Sequence, residues 1–345
     1  MSVQNQISNS RREARYVSEI VASAHAYPSD VVDNEEYLRR CRFELSASPA
    51  ELAAETRMKT RRWCRPEENT ATLVADLVTR LAREQPSAIA DVDVVVVASG
   101  TTMTLAHPSD PNNAAFADLA PLVLAQLGRN DALGLDIKAC YCTGFLRGLQ
   151  VVDGLLGNAN YRAALLIAAE QGSRFATAES NRSSFCYLVS DAAGAFVLRR
   201  REPAPRVGVL DYCGYSDVSK LAWVGIGEDA ASIIMLGSRA AEATQGMLLE
   251  MAHTLLSRNG LRPADVDWLL PIQTHAGLLN ELCRRLEWPA EKLLWFGDVN
   301  GFSGSASIPS AFSEQVQRGT IRKGQLILSL AVGAGMNCAG ALYYA

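Results

Sequence analysis

The hydrophobic pattern of the chain alternates between short apolar runs, typical of buried strands, and stretches with an apolar face, typical of amphipathic helices. In the first part of the chain the predicted elements are strands at 92–99, 133–139 and 163–169 and helices near 116–127 and at 142–156. After a charged connector, the second part predicts helices at 247–258 and 276–286 and strands at 266–271, 325–330 and 340–344. Apolar strands that alternate with helices predict an α/β fold with strands buried on both faces.

The two series of elements repeat each other in sequence. Ala90-Asp91-Val92-Asp93 opens one apolar strand, and Ala264-Asp265-Val266-Asp267 opens another, each after a helical segment. The segment 193–196 ends the first series as 339–342 ends the second. We interpret this as an internal duplication of one half.

Composition narrows the class of protein. The chain has 345 residues, of which 48% are hydrophobic and 20% charged, enough to bury a large core. Its net charge of −4 argues against nucleic-acid binding, which requires an excess of Lys and Arg on one face. Apolar runs are shorter than the roughly 20 residues that span a bilayer, and the polar start at 1–15 lacks the apolar region of a secretory signal. We therefore predict a cytoplasmic protein that is not membrane-bound.

Eight cysteines are scattered along the chain, and the only close pair, Cys140 and Cys142, has the spacing C-x-C. This spacing predicts neither a zinc site nor a disulfide framework. Cys142 differs from the others because it follows the predicted strand at 134–139 and precedes a helix with an apolar face. At a helix N-terminus the unpaired amide groups stabilise a thiolate and can also hold the oxyanion that forms when sulfur attacks a thioester.

The residues around Cys142 resemble a known family. Asp136-Ile137 followed by Cys142-Thr143-Gly144-Phe145 is similar to the nucleophile motif D-(V/I)-x-x-x-C-(A/S)-G-F of the β-ketoacyl synthase III enzymes. The resemblance begins near Tyr16 and continues in order through the segments at 24–34, 58–69, 190–195, 305–309 and 324–340.

The resemblance implies a thiolase fold, five-layered α-β-α-β-α, made from two duplicated halves. We accordingly expect a disordered tail at 1–15, an N-terminal half at 16–200 that carries the nucleophile and a C-terminal half at 207–345. It also implies an enzyme, usually a homodimer, that loads an acyl group onto the cysteine from coenzyme A or acyl carrier protein, with neither a metal nor a further cofactor.

The spacing between Asp136 and the nucleophile is one residue longer than in the family. Counting back from Gly144 and Phe145 assigns the nucleophile to Cys142, whereas Cys140 would lie inside the strand. We therefore choose Cys142 over Cys140. By resemblance the oxyanion hole consists of the backbone N–H groups of Cys142 and Ala334.

The rest of the family's Cys-His-Asn triad is altered. Pro271-Ile272-Gln273-Thr274-His275 aligns with P-H-Q-A-N, which places Ile272 where the family has His and His275 where it has Asn. Asn300-Gly301-Phe302 aligns with H-G-N, which places Phe302 at the triad Asn and leaves Asn300 two positions earlier. We consider His275 and Asn300 candidate catalytic residues.

His275 is either an ordinary loop histidine or a general base, since an unperturbed imidazole pKa of ~6.5 suits proton transfer. Ile272 and Phe302 cannot donate hydrogen bonds, and losing one oxyanion donor typically costs ~3 kcal/mol. We therefore expect acyl loading to persist and ordinary malonyl-ACP decarboxylation to be slow.

Four further residues are candidates for substrate or carrier binding by resemblance. His107 occupies a loop whose aromatic reaches the partner's acyl pocket in the family, and Arg61 stands where an Arg faces the coenzyme A nucleotide. Arg284 and Arg285 occupy the place of a basic pair that meets the carrier protein. Each also has a simpler interpretation, as part of a polar loop or as a solvated charge.

The sequence thus predicts an acyltransferase that carries an acyl group on Cys142 and passes it to a nucleophile in specialised polyketide or fatty-acid-related biosynthesis. The second step is either a Claisen-type condensation or transfer to oxygen or nitrogen. The alternative is a catalytically silent thiolase-fold subunit that completes a heterodimer, which the altered triad favours and the retained cysteine motif opposes.

Overall fold

The computed structural model describes residues 16–42, 44–45, 47–101, 118–138, 141–177, 184–226, 233–235 and 237–345. The strands within these ranges are β1 (Val17–Ala26), β2 (Asp30–Asp33), β3 (Thr60–Trp63), β4 (Val94–Ala98), β5 (Leu133–Ile137), β6 (Ala163–Gln171), β7 (Asp191–Arg201), β8 (Val209–Ser216), β9 (Val224–Ile226), β10 (Ile233–Met235), β11 (Trp268–Leu269), β12 (Leu326–Gly333) and β13 (Asn337–Tyr344). The α-helices are α1 (Asn34–Arg40), α2 (Pro49–Thr56), α3 (Thr70–Glu84), α4 (Pro86–Ile89), α5 (Ala120–Gln126), α6 (Gly144–Gly157), α7 (Ser173–Ala176), α8 (Gly237–Arg258), α9 (Ala276–Leu286), α10 (Gly297–Asn300) and α11 (Ser307–Gln317).

Two large sheets repeat one topology. The first has the order β1-β7-β6-β4-β5, with β6 parallel to β4 and antiparallel to β7. The second has the order β11-β12-β13-β8, with β12 parallel to β11 and antiparallel to β13. A parallel bridge between Leu269 and Leu293 continues the second sheet where β5 continues the first. The duplicated α/β fold predicted from the sequence is confirmed.

Five layers follow from how the helices cover these sheets. α3 and α5 pack on the outer face of the first sheet, and α8 and α9 pack on the outer face of the second. α6 and α11 lie between the sheets, where the rings of Phe145, Phe196 and Phe312 pack with centroids 4.5–4.8 Å apart. This α-β-α-β-α arrangement of the thiolase fold places the starts of both central helices in the interior.

Some element bounds differ from those predicted. α8 begins at Gly237 rather than near 247, because its first ten residues carry few apolar side chains that would signal a buried face. β11 contains only Trp268 and Leu269, yet the N–H groups of Leu270 and Ile272 still donate to Leu328 and Leu330. The extended segment therefore continues toward the site as predicted, although it is classed as a strand over two residues only.

The first sheet uses strands between Val17 and Arg201, and the second uses strands between Val209 and Tyr344. The exact boundaries of the two halves stay a prediction, and the tail at 1–15 lies outside the described residues. None of the helices in the described ranges is long and apolar enough to cross a membrane.

Candidate active site

Cys142 lies in a sharp turn between β5 and α6. Tyr141–Thr143 form a 3-10 turn that leads directly into α6, and Tyr141 has a φ of 55°, in the left-handed region that non-glycine residues rarely adopt. The Tyr141 ring packs on Gly100, where an added Cβ would come within 2.3 Å of a ring atom. The contact with Gly100 therefore holds the turn in this conformation. Backbone strain from a positive φ concentrates at functional sites.

The helix that follows is fixed by its apolar face. Phe145, Leu149, Val152 and Leu156 are fully buried, as their helical spacing predicts. The N-cap residue Thr143 makes no side-chain bond to the helix, so its hydroxyl does not compete for the first amide groups of α6. The predicted placement of a cysteine at a helix N-terminus is confirmed for Cys142, while Cys140 lies outside the described residues.

Cys142 lines a cavity of about 180 Å³ whose walls come from both halves of the chain. Most of the lining side chains are apolar, among them Phe175, Phe185, Val189, Leu278 and Met336. Two parts of this lining differ in chemistry. We call Cys142 and Ala334 the acylation wall, and Ile272, His275 and Phe302 the partner wall.

Ala334 belongs to the turn between β12 and β13. In this turn Gly333 pairs with Asn337 in the strand ladder, and the Gly335 N–H donates to the Val224 carbonyl at 2.8 Å. Within the part of the chain that the structure describes, the Ala334 N–H has no such acceptor. The Ala334 N–H is therefore available to an oxyanion in the cavity, and its role in an oxyanion hole stays a prediction.

His275 is the N-cap of α9. Its Nδ1 accepts a hydrogen bond from the Leu278 N–H at 3.3 Å, so the proton of the neutral ring is on Nε2. Burial lowers the pKa of His275, although nearby Glu55 opposes this, and the ring is therefore neutral at pH 7. The structure thus favours a hydrogen-bond donor at Nε2, because a proton acceptor there requires the other tautomer and the loss of the helix cap.

Ile272 and Phe302 form the apolar part of the partner wall. Both are buried, with 3% and 4% of their surface exposed. The Phe302 ring packs against the Phe185 ring with centroids 5.3 Å apart. The backbone N–H of Phe302 donates to the Leu188 carbonyl at 2.8 Å. Ile272 and Phe302 therefore line the cavity with side chains that donate no hydrogen bond, and their correspondence to the family's His and Asn stays a prediction.

Glu170 is a cavity residue that the sequence analysis missed. It is the one charged residue of β6, and its buried carboxylate accepts hydrogen bonds from the Gly100 N–H, the Thr101 hydroxyl and the Ser305 hydroxyl at 2.6–3.2 Å. Burial raises its pKa to about 7, against the effect of these donors. A lone charge in an apolar strand was a usable signal.

The assignment of Arg61 to the coenzyme A nucleotide is wrong. Arg61 is fully buried, and its guanidinium lies between the rings of Tyr37 and Tyr187, 4.5 and 4.3 Å from their centroids. Its Nε donates to the Tyr187 carbonyl and its Nη1 to the Asn34 side chain. The side chain cannot reach solvent, so it stabilises the packing of the N-terminal half instead.

Asn300 does not reach the cavity around Cys142. Its amide nitrogen donates to Glu314 at 2.8 Å and to the Tyr27 hydroxyl at 3.3 Å, in a separate small pocket beside α11. The structure therefore does not bring this predicted catalytic residue together with Cys142. His107 lies outside the described residues, and its role stays a prediction.

The basic pair lies on the surface of α9, the helix that His275 caps. Arg284 and Arg285 are both exposed, and Arg284 forms an ion pair with Glu281 at 2.7 Å. Leu278 of the same helix lines the cavity, and at 1.5 Å per residue the pair lies about 10 Å farther along the helix axis. Their position is accessible to a partner protein, and their role in binding one stays a prediction.

The described residues contain no group of three or more His, Cys, Asp and Glu side chains that could hold a metal ion. A cysteine at the start of a central helix, in one cavity with the turn between the last two strands of a duplicated five-layered fold, is typical of thiolase-fold acyl-transfer enzymes.

Comparison with known proteins agrees with this class. The family description 3-oxoacyl-(acyl-carrier-protein) synthase III matches residues 135–217, and the description of its C-terminal part matches residues 256–345. The β-ketoacyl-(acyl-carrier-protein) synthase III of Erythrobacter litoralis is 30% identical over 332 residues, covering 94% of this chain and 98% of the relative. That of Granulibacter bethesdensis is 28% identical with the same coverage.

Among solved structures, 3-oxoacyl-(acyl-carrier-protein) synthase III from Aquifex aeolicus superposes with a TM-score of 0.82 at 25% identity. The match covers 94% of this chain and 99% of that one. The chain therefore belongs to the β-ketoacyl-(acyl-carrier-protein) synthase III family of acyltransferases.

Proposed function

We propose that the protein takes an acyl group from a thioester onto Cys142 and passes it to a nucleophile without efficient decarboxylation of a malonyl-type partner. In the first step the Cys142 thiolate attacks the thioester carbonyl, the bond from the carbonyl carbon to the donor sulfur breaks, and the donor leaves as a thiolate. In the second step an incoming nucleophile attacks the enzyme thioester, and the Cys142 sulfur leaves.

One observation carries the proposal: the acylation wall keeps its polar groups while the partner wall has apolar side chains at two of its three positions. Cys142 and the Ala334 N–H are what acyl loading requires. Ile272 and Phe302 lack the donors that would stabilise the enolate left by loss of carbon dioxide. We assign the single side-chain donor of this wall, His275 Nε2–H, to the carbonyl oxygen of the second step, because Nδ1 accepts from Leu278 and the proton is therefore on Nε2.

The substrates we propose follow from the cavity and from the family. The apolar lining suits an aliphatic or aromatic acyl chain rather than a charged one. Relatives are named for their use of acyl carrier protein, and we propose that this chain takes acyl groups from such a carrier or from coenzyme A. We assign the reaction to specialised polyketide or fatty-acid-related biosynthesis, because the altered partner wall does not suit ordinary chain priming.

We also propose that the protein works as a homodimer. β5 is one of the two edge strands of the first sheet among the described residues, and an edge strand can bind a strand of a second chain. α5 packs against β5, and 46% of its Leu122 is exposed, so the helix beside this strand offers apolar surface to a partner. Sedimentation of the purified protein as a monomer would contradict the homodimer, and a requirement for a related chain would indicate a heterodimer.

Intact-mass spectrometry after incubation with acyl-coenzyme A and acyl carrier protein thioesters tests the main proposal. We expect the wild type to gain one acyl mass that Cys142→Ala does not gain. Labelled malonyl thioester should release carbon dioxide slowly from the same preparation. A wild type that gains no acyl mass from any thioester, alone or with a related chain, would support the silent-subunit alternative.

A further inference from the structure

The turn that carries the Ala334 N–H has a strained backbone. Gly335 has a φ of 71° and Met336 a φ of 28°, both in the region that residues with a side chain rarely adopt. A non-glycine residue in that region persists only where its surroundings hold it. The contacts of this turn therefore decide where the Ala334 N–H points.

The Ala334–Gly335 peptide group is held on both sides. Its N–H donates to the Val224 carbonyl at 2.8 Å, and its C=O accepts from the Asn337 side-chain amide at 2.6 Å. Because a peptide group is planar, these two opposed bonds fix its orientation. The Ala334 N–H is on the adjoining peptide, one Cα away. The first bond is between backbone atoms, whereas the second depends on the identity of residue 337.

The Asn337 side chain is itself oriented by contacts at its amide oxygen, Oδ1. Its Oδ1 accepts from the Ser216 hydroxyl and from Arg147 Nη2, the latter at 3.5 Å, and the residue is 6% exposed. Arg147 also donates to the Tyr215 carbonyl at 3.2 Å. With donors on one side and a carbonyl on the other, the amide has one orientation that satisfies every partner.

Arg147 is on α6, the helix whose N-terminus carries Cys142. The contacts from Arg147 to Asn337 to Ala334 thus connect the two elements that supply the oxyanion hole. Both N–H groups must point to the same oxygen, and small displacements of such groups weaken catalysis strongly.

We propose that Asn337 is the positioning residue of the oxyanion hole: it orients the Ala334 N–H toward the thioester carbonyl and, through Arg147, ties that amide to the nucleophile helix. The inference rests on the proposed acyl loading of Cys142. It assigns no chemistry to Asn337 itself, which acts on the substrate only through the backbone of Ala334.

The test compares two reactions of the same sulfur. Acylation by an acyl-coenzyme A forms an oxyanion, whereas alkylation by iodoacetamide displaces iodide and forms none. Asn337→Asp is isosteric but turns an oxygen toward the Ala334 carbonyl, and Asn337→Leu removes both interactions. We expect each variant to acylate Cys142 ~10-fold to 100-fold more slowly while alkylation stays within about twofold of wild type.

For Asn337→Asp the ratio of acylation to alkylation should rise as the pH falls, because a protonated carboxyl can again donate to the Ala334 carbonyl. The matched control is Asn259→Asp, since Asn259 also donates to a backbone carbonyl, that of Leu255, but at the far end of α8. We expect it to lower stability without changing that ratio.

Equal losses of acylation and alkylation in the Asn337 variants would mean a general structural role and overturn the inference, as would unchanged acylation. A wild type that gains no acyl mass at all would overturn the proposed function, and this inference with it. Slow acylation confined to the Asn337 variants supports both.

Discussion

The acylation wall and the partner wall of the cavity come from different parts of the fold and differ in how they use polar groups. The acylation wall relies on backbone amides at the start of α6 and in the turn after β12, held in place by buried contacts. The polar chemistry of the partner wall depends on side chains, and two of its three, Ile272 and Phe302, are apolar and buried. Backbone donors survive substitution of their own residue, whereas a side-chain donor is lost with a single change.

The difference separates two chemical tasks that a decarboxylating family member combines. Loading needs a thiolate and an oxyanion hole, and we propose that the acylation wall supplies both. Decarboxylative condensation also needs donors on the partner wall, and here one candidate, His275, is present. The walls can therefore be tested separately.

Removing the nucleophile should have the largest effect. Cys142→Ala should abolish acyl-enzyme formation and leave the thermal unfolding midpoint close to wild type. Burial raises the pKa of Cys213 to about 12 and those of Cys283 and Cys338 to about 11, so few of these thiols ionise near pH 7. Peptide mapping after brief iodoacetamide treatment should find Cys142 labelled fastest, and uniform labelling or a preference for Cys140 would contradict the assignment.

The absence of hydrogen-bond donors at Ile272 and Phe302 should have the second largest effect, a lower rate of decarboxylation. Loss of one oxyanion donor typically costs ~10²–10³-fold in rate, so carbon dioxide release from malonyl carrier protein should be at least that much slower than in a relative with both donors. Ile272→His with Phe302→Asn should increase the release, and the control Ile272→Val should not. Rapid release by the wild type would show that other groups supply the donors.

Substitution of His275 tests the role of the one polar side chain of the partner wall. His275→Asn keeps a side chain that caps α9 but is too short to replace Nε2, whereas His275→Ala loses cap and donor. Both should load Cys142 normally and transfer the acyl group about 100-fold more slowly, so the acyl-enzyme accumulates. His275→Ala alone should also lose about 1 kcal/mol of stability.

The pH dependence of His275 follows from its lowered pKa. Between that lowered pKa and the ordinary value of 6.5 the unfolded chain binds more protons than the native one, so stability rises with pH across this interval and is lost as the pH falls. Wild-type rates of both loading and transfer in His275→Asn would show that His275 is only a cap.

Substitution of Glu170 tests the role of the buried carboxylate in the cavity, which belongs to neither wall. Its folded pKa of about 7 lies above the ordinary value, so the native state binds more protons between pH 4.5 and 7 and stability falls as the pH rises through that interval. From pH 5 to pH 8 the wild type should lose on the order of 3 kcal/mol relative to Glu170→Gln. Denaturant titrations at both pH values measure this, and a collapse of turnover in the variant at pH 8 would instead indicate a catalytic role.

The basic pair on α9 should have the smallest effect. Exposed charge pairs contribute about 0.2–1 kcal/mol, so Arg285→Glu should raise the KM for acyl carrier protein about 1.5-fold to fivefold, more at low salt. The KM for acyl-coenzyme A should not change. An equal change in the KM for acyl carrier protein and for acyl-coenzyme A would show that Arg284 and Arg285 do not bind the carrier.

The sequence by itself determined the parts of this protein whose signals are local. The apolar face of Phe145, Leu149, Val152 and Leu156 predicted α6, and the preceding strand placed Cys142 at its start. The alternation of elements predicted the α/β class, because strand and helix periods are visible within a window of some ten residues, and the repeated short segments indicated the duplication. The absence of hydrogen-bond donors at Ile272 and Phe302 was equally visible, since it depends only on residue identity.

Tertiary structure alone decided which polar residues meet. Arg61 looked exposed in its motif, yet two tyrosines from distant positions, Tyr37 and Tyr187, enclose its guanidinium. Asn300 lies two residues from Phe302 but turns away to Glu314, while Asn337 reaches Ala334 and, across 190 residues, Arg147. Burial and hydrogen-bond partners depend on which segments the fold brings together. A sequence pattern does not give the spatial distance between segments that are far apart along the chain.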